Sequence, residues 1–250
     1  MHRVYVEPAQ AQNSTLHLND SESHHLTHVL RARAGERVVG LDGAGHEFLC
    51  EIASLGRGEA QLKVLQRQSV PALPFQITLL QAVMRAKTMD LIIQKATELG
   101  AYRIVPILSE RSVSQIEEDA TAAKLEKWRT TAIESIKQCG SHWLPRFEAP
   151  QTPQKVLGTN ERYDLPLIAS LQPGARHPRD YFRTFAAEQA RQPKSVCVWV
   201  GPEGDFTPAE INAVRQAGAL PITLGPLILR SETAAIYCLS ILNYELQAPK

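Results

Sequence analysis

Hydrophobic and polar positions follow two different rhythms along the chain. Up to about residue 70 the apolar residues come in short alternating runs, Arg37 to Leu41, Glu47 to Ser54 and Ala60 to Arg67. Turn signals at Asp42-Gly43 and from Gly56 to Gly58 separate them, which predicts short antiparallel strands in a small β-barrel. One helix is expected ahead of them. Asp20 or Ser21 would cap it, Leu26, Val29 and Leu30 would share one face, and Gly35 lies just past its end.

Ser69-Val70-Pro71-Ala72-Leu73-Pro74 reads as a linker, because two prolines in four residues interrupt both helix and central strand. Beyond it the rhythm changes. Apolar strands are expected at Phe75 to Val83, Ile104 to Leu108 and Leu165 to Leu171. Helices are expected at Thr88 to Leu99, closed by Gly100, at Thr121 to Cys139, closed by Gly140, and at Arg179 to Ala190. Strands alternating with helices predict an α/β domain on a mostly parallel sheet. The expected division is therefore a β-rich domain over 1–70 and an α/β domain over 71–250.

The stretch from Ser195 to Ala235 carries the strongest local signals. A strand, Val196 to Val200, runs into Gly201-Pro202-Glu203-Gly204. Thr207, Pro208 and Glu210 then spell a capping box with proline at the first helical position, and Gly218 ends that helix. A short strand, Pro221 to Leu224, leads into a second loop, Gly225 to Thr233. A mostly apolar helix follows, Ala234 to Leu246. Two loops are thus expected to leave the carboxyl ends of two neighbouring strands, the edge at which open α/β sheets bind ligands. The apolar run Leu227 to Leu229 inside a loop calls for a cover, such as a flat ligand or a partner subunit. The glycines around Glu203 would let a ligand approach the backbone closely.

Composition adds limits. A net charge of +1, with 44% hydrophobic and 21% charged residues, is ordinary for a globular chain and gives no polybasic signature. A nucleic-acid partner would have to be met by local patches. No run reaches the roughly 18 apolar residues of a membrane span, and the first residues lack the apolar core of a signal peptide, so a cytoplasmic location with no membrane partner is expected. Cys50, Cys139, Cys197 and Cys238 form no C-x-x-C pair and read as buried free thiols. No phosphate loop, dinucleotide fingerprint or nucleophile elbow is present. His24 and His28 lie one helical turn apart. Without a third ligand at suitable spacing they suit a solvated or RNA-facing surface better than a metal, and no metal is expected.

GPEGDFTPAEI (Gly201 to Ile211) and LGPLILRSETA (Leu224 to Ala234) closely resemble the signature of the RsmE family, the 16S ribosomal RNA uridine N3-methyltransferases. RAKTMDLIIQKATELG (Arg85 to Gly100), LSERS (Leu108 to Ser112) and QCG before LP (Gln138 to Pro145) match the same family. HHLTHVLRARAGE (His24 to Glu36) resembles its N-terminal RNA-binding region. The resemblance implies an N-terminal PUA-like β-barrel and a C-terminal SPOUT α/β domain with a deep trefoil knot, which the hydrophobic pattern does not predict. It also implies a homodimer, S-adenosyl-L-methionine as methyl donor, and methylation of a uridine at position 1498, in helix 44 of the 16S rRNA of the 30S subunit.

Carried over by motif, the cofactor pocket would use Leu171, Gly201, Glu203, Gly204, Leu224, Gly225, Ile228 and Leu229. Arg230 would stabilise negative charge on a uracil oxygen, and Glu232 would orient Arg230 or relay the proton, with Glu203 as the alternative base. Arg3, Arg31, Arg33, Lys87 and Arg111 are the candidate RNA contacts. Ile236, Leu239, Ile241 and Leu242 on the last helix suit a dimer surface, or equally a core. The chain departs from the family pattern at Asp205, where glycine is common, at Leu227, where arginine is common, and at Ser141-His142. Two other readings of this fold are a non-methylating ribosome-assembly factor and an enzyme acting on another RNA such as tRNA.

Overall fold

The computed structural model describes residues 1–56, 58–112, 120–172 and 174–247. Its contacts divide the chain into two units, Met1–Ala72 with Ala132–Leu144, and Leu73–Thr131 with Pro145–Lys250.

The first unit holds a five-stranded sheet in the order β1-β3-β4-β5-β2, made of β1 (His2–Tyr5), β2 (Thr15–Leu18), β3 (Arg37–Leu41), β4 (His46–Leu55) and β5 (Ala60–Ser69). β1 pairs parallel to β3, and the other pairings are antiparallel. Along β4 the side chains of Phe48, Cys50 and Ile52 turn inward and are buried, the period of two that the sequence displays. Two register shifts between β4 and β5 bend that pair. β1 and β2 carry too few apolar residues to announce themselves in sequence. The expected turn from Gly56 to Gly58 includes residue 57, outside the described residues.

The expected first helix is corrected in two ways. Its cap is Asn19, whose side chain accepts from the Glu22 N–H at 2.9 Å, rather than Asp20 or Ser21. After α1 (Asp20–His24) the backbone widens into a π-helical turn, His25–Val29. A π turn shifts the face that follows, so Leu26 is buried while Val29 is 60% exposed. Arg31, at φ 53, ends the segment.

Residues 132–144 join this unit through Ile133, Ile136 and Leu144, which pack with Tyr5. A buried ion pair lies beside them. Lys137 Nζ is 2.6 Å from Glu22 Oε1, and Glu22 Oε2 accepts from the Tyr5 N–H at 3.0 Å.

The second unit is built on a six-stranded parallel sheet ordered β11-β9-β10-β6-β7-β8. The strands are β6 (Gln76–Ala82), β7 (Arg103–Ile107), β8 (Arg146–Phe147), β9 (Leu165–Ala169), β10 (Ser195–Val200) and β11 (Leu220–Ile222). The helices are α2 (Ala86–Glu98), α3 (Thr121–Cys139, which continues into the first unit), α4 (Pro153–Gly158), α5 (Pro178–Gln189), α6 (Pro208–Gln216) and α7 (Ser231–Gln247). β8 and α4 are too short to be legible from periodicity.

Two expectations need correction here. β10 and β11 are not neighbours, because β9 lies between them. β11 contains Pro221, which cannot donate to a ladder and suits an edge. α7 begins at Ser231 rather than Ala234, since the Ala234 N–H already bonds the Arg230 carbonyl at 2.8 Å. Leu239 and Leu242 are 0% and 1% exposed and belong to the chain's own core, whereas Ile236 and Ile241 are half-buried.

Candidate functional site

The order of the sheet brings the ends of β9, β10 and β11 side by side, so three loops converge at their carboxyl edge. The middle loop is the most constrained. At Gly201, a Cβ would come within 3.0 Å of Asp205 Oδ1 and 3.2 Å of the Phe206 nitrogen, so a side chain there would crowd the loop. Asp205 sits at φ 58, a left-handed conformation that Asp and Asn tolerate better than other side chains. Its Oδ1 accepts from the Phe206 N–H at 2.8 Å, which holds the turn. This is how the chain accommodates the departure from glycine at this position. Phe206 is buried edge-on against Trp199. Burial, the larger influence, raises the Asp205 carboxyl above its usual pKa, while the Phe206 N–H and the charge of Arg111 oppose it.

The loop is pinned from outside as well. Thr207 caps α6 in the expected box, and its N–H donates to Glu210 Oε2 at 2.8 Å. Glu210 is 1% exposed and also accepts from Ser109 Oγ at 3.1 Å and the Glu110 N–H at 3.0 Å. Arg111 Nη1 donates to the Gly204 carbonyl at 2.8 Å. The segment after β7 is thereby fastened to the segment after β10.

A further link runs through the start of α7. Ser231 Oγ donates to the Gly201 carbonyl at 2.6 Å and accepts from Gln81 Nε2 at 3.0 Å. Gln81 is fully buried at the end of β6, and its Oε1 has no hydrogen-bond partner among the described residues.

Between the three loops lies a cavity of about 470 Å³, within the range of roughly 300–1,000 Å³ typical of small-molecule sites. Leu171 lines it from the first loop and Gly201 with Glu203 from the second. Leu224, Gly225, Ile228 and Leu229 line it from the third. Gly204, Arg230 and Glu232 stand outside the lining, while Ser231 and Asp205, neither named from sequence as site residues, are part of it. Among the described residues neither Arg230 nor Glu232 has a side-chain hydrogen bond or ion pair. The apolar run keeps its surface open, with Leu171 at 61%, Leu227 at 73% and Ile228 at 82% exposed. Gly225, at φ 109, turns the third loop with open space where a side chain would stand. Apolar rims, a backbone approachable at glycines and a volume of this size fit a flat nucleoside ligand.

The candidate RNA residues are divided between the two units, Arg3, Arg31 and Arg33 in the first and Lys87 and Arg111 in the second. Arg31 and Arg33 are exposed after the π-helical turn, and Lys87 is exposed in the first turn of α2. Arg3 donates to the carbonyls of Lys137 and Gln138, both at 3.1 Å, and Arg111 is committed to Gly204. The exposed rings of His24 and His28 lie 4.6 Å apart, and among the described residues no cluster of three His, Cys, Asp or Glu could hold a metal. Cys50, Cys197 and Cys238 are buried, and burial pushes their thiols up to about 12. Cys139, expected to be buried, is exposed at the end of α3. Among the described residues no helix is long and apolar enough to cross a membrane.

Comparison with known proteins agrees with this anatomy. Residues 71–243 match the family described as RNA methyltransferase domain, and residues 18–65 match the RNA methyltransferase PUA domain. The chain is 31% identical to ribosomal RNA small subunit methyltransferase E of Synechocystis, over 99% of this chain and 78% of that one. It is 28% identical to the enzyme of the same name from Bacillus subtilis, over 98% and 97%.

Among solved structures, a Legionella pneumophila protein in complex with its bound cofactor SAM superposes with a TM-score of 0.88. It shares 30% identity, over 97% of this chain and 96% of that one. Ribosomal RNA small subunit methyltransferase E of Neisseria gonorrhoeae, bound to S-adenosyl methionine, gives 0.85 at 28% identity over 97% and 96%. The fold and the matched families place the chain in the class of RNA methyltransferases that carry a PUA domain. Within that class it belongs to the ribosomal RNA small subunit methyltransferase E family, RsmE.

Proposed function

We propose that the chain methylates N3 of a uridine in helix 44 of 16S rRNA, position 1498, with S-adenosyl-L-methionine as donor. The observation that carries this reading is the three-loop cavity, whose volume, open apolar rims and glycine-lined backbone suit an adenosine. Relatives named for small-subunit rRNA methylation, and two similar structures that hold this donor, support it. When bound, the donor supplies an electrophilic methyl on a sulfonium.

The residues have three tasks. Loop backbone from Gly201, Leu224 and Gly225, with Leu171, Ile228 and Leu229, holds the adenosine and excludes water. The uracil N3 proton must leave before the nitrogen can attack in line. Arg230 at the head of α7 stabilises the charge that develops on a uracil oxygen, and Glu232 or Glu203 takes the proton. Residues 1–70, as a PUA-like domain, position the RNA through Arg31 and Arg33, with Arg3, Lys87 and Arg111 as further contacts. Residues 71–250 form a SPOUT domain whose loops after β10 and β11 belong to a trefoil knot. The enzyme works in the cytoplasm as a homodimer, for which the exposed Tyr237 and Tyr244 of α7 offer a surface.

The test uses purified protein, labelled donor and 30S subunits from cells lacking the modification. Nucleoside mass spectrometry should find N3-methyluridine at the expected site. Donor binding without transfer would point to another RNA, and no binding would favour an assembly factor.

A further inference from the structure

Among the described residues, the ionisable side chains lining the three-loop cavity are Glu203 and Asp205, both acidic, and no Lys, Arg or His shares that lining. Glu203 is exposed and its charge faces bulk water, whereas Asp205 is half-buried. The Asp205 backbone is fixed at φ 58, its N–H donates to the Pro202 carbonyl at 3.0 Å, and its Oδ1 holds the Phe206 N–H. Among the described residues no ion pair neutralises it. Arg111, the cation that acts on it, is held by the Gly204 carbonyl. A fixed, partly desolvated negative charge thus borders the cavity.

If the cavity is used as proposed above, it must take one ligand and release another that differs in charge. Methyl transfer breaks the sulfur–methyl bond, and the electron pair stays on sulfur. The new bond forms to N3, whose proton has gone to a base. A sulfonium cation enters and a neutral thioether leaves, with the rest of the molecule unchanged.

We infer that Asp205 is a specificity-determining residue whose carboxylate makes the cavity favour the cationic methyl donor over the neutral thioether product. The inference rests on the proposed reading of the cavity and adds to it a means of product release. Screened by solvent in a half-buried site, one such charge should change the ratio of the two affinities about five- to tenfold.

The experiment is calorimetric titration of the full chain with S-adenosylmethionine and, separately, S-adenosylhomocysteine. Parent, Asp205→Asn and Asp205→Gly are compared at about pH 7.5, and both replacements tolerate the left-handed backbone. Donor affinity should fall about five- to tenfold in both variants while product affinity stays within about twofold. If both ligands bind and the ratio is unchanged, the inference is overturned and the cavity reading stands. A ratio that collapses in Glu203→Gln but not in the Asp205 variants overturns the assignment to Asp205. If neither ligand binds the parent, the cavity reading fails, and the inference with it.

Discussion

Ser231 and Gly201 are thirty residues apart and joined by a 2.6 Å hydrogen bond, from the serine hydroxyl to the glycine carbonyl. The hydroxyl also receives Gln81 Nε2, so the ends of β6 and β10 and the first turn of α7 meet at one oxygen. Ser231→Ala leaves a buried amide and a carbonyl each short of one partner, at a cost of about 1–3 kcal/mol. The urea midpoint should drop, and calorimetry should show donor affinity lower by about tenfold, equivalent to about 1.4 kcal/mol. Ser231→Thr, which keeps the hydroxyl, should retain most of both.

Arg230 precedes that turn and lies outside the cavity lining. A group that acts only on charge in the transition state changes rate and leaves ligand affinity alone. Arg230→Ala should therefore lower the single-turnover methylation rate by about 10²–10³ while donor Kd stays within about twofold. An unchanged rate would remove Arg230 from the chemistry.

Glu210 is the most heavily bonded carboxylate near the site, with acceptances from Ser109, Glu110 and Thr207. Glu210→Ala strips the capping box and leaves buried donors without an acceptor. Chemical denaturation should show a loss of about 2–4 kcal/mol, with Glu210→Gln intermediate because it keeps one acceptor oxygen.

Asp205 carries a raised carboxyl pKa, caused chiefly by burial. An acid raised in the folded state contributes its stability below the unfolded value, about 3.9, and loses it as pH rises through the folded value. Ionised Asp205 therefore costs stability near neutrality. Ligand-free Asp205→Asn should melt above the parent at pH about 7, and the gap should close toward pH about 4. Equal midpoints at neutral pH would contradict this.

Arg31 and Arg33 are exposed and without a side-chain hydrogen bond among the described residues, whereas Arg3 serves two carbonyls. The Arg31→Ala/Arg33→Ala pair should flatten the slope of log affinity for 16S RNA against log salt by about one to two. Arg3→Ala should instead cost about 1 kcal/mol of stability on denaturation.

The strands and helices that bury one face were legible because burial imposes a period. Phe48, Cys50 and Ile52 on β4, and Ile92, Ile93 and Ala96 on α2, display it directly. Thr207, Pro208 and Glu210 were legible because capping is local chemistry. Strand order was not, since nothing in Val196 to Leu224 records that β9 runs between β10 and β11. The π-helical turn was hidden too, because one extra residue per turn leaves no mark on composition. The link between Ser231 and Gln81 is illegible for a related reason. Each looks unremarkable in its own segment, and their pairing exists only once residues 150 positions apart are brought together.

The grouping of residues 132–144 with the N-terminal unit bears on how that unit can be isolated. A peptide ending at Ala72 would keep the Glu22 carboxylate but lose the Lys137 ammonium that meets it. It would also bare the face of Tyr5 that Ile133 and Ile136 cover. Excision at the proline-rich linker thus yields an incomplete fragment, and a self-sufficient RNA-binding piece would need the distant segment grafted back onto it.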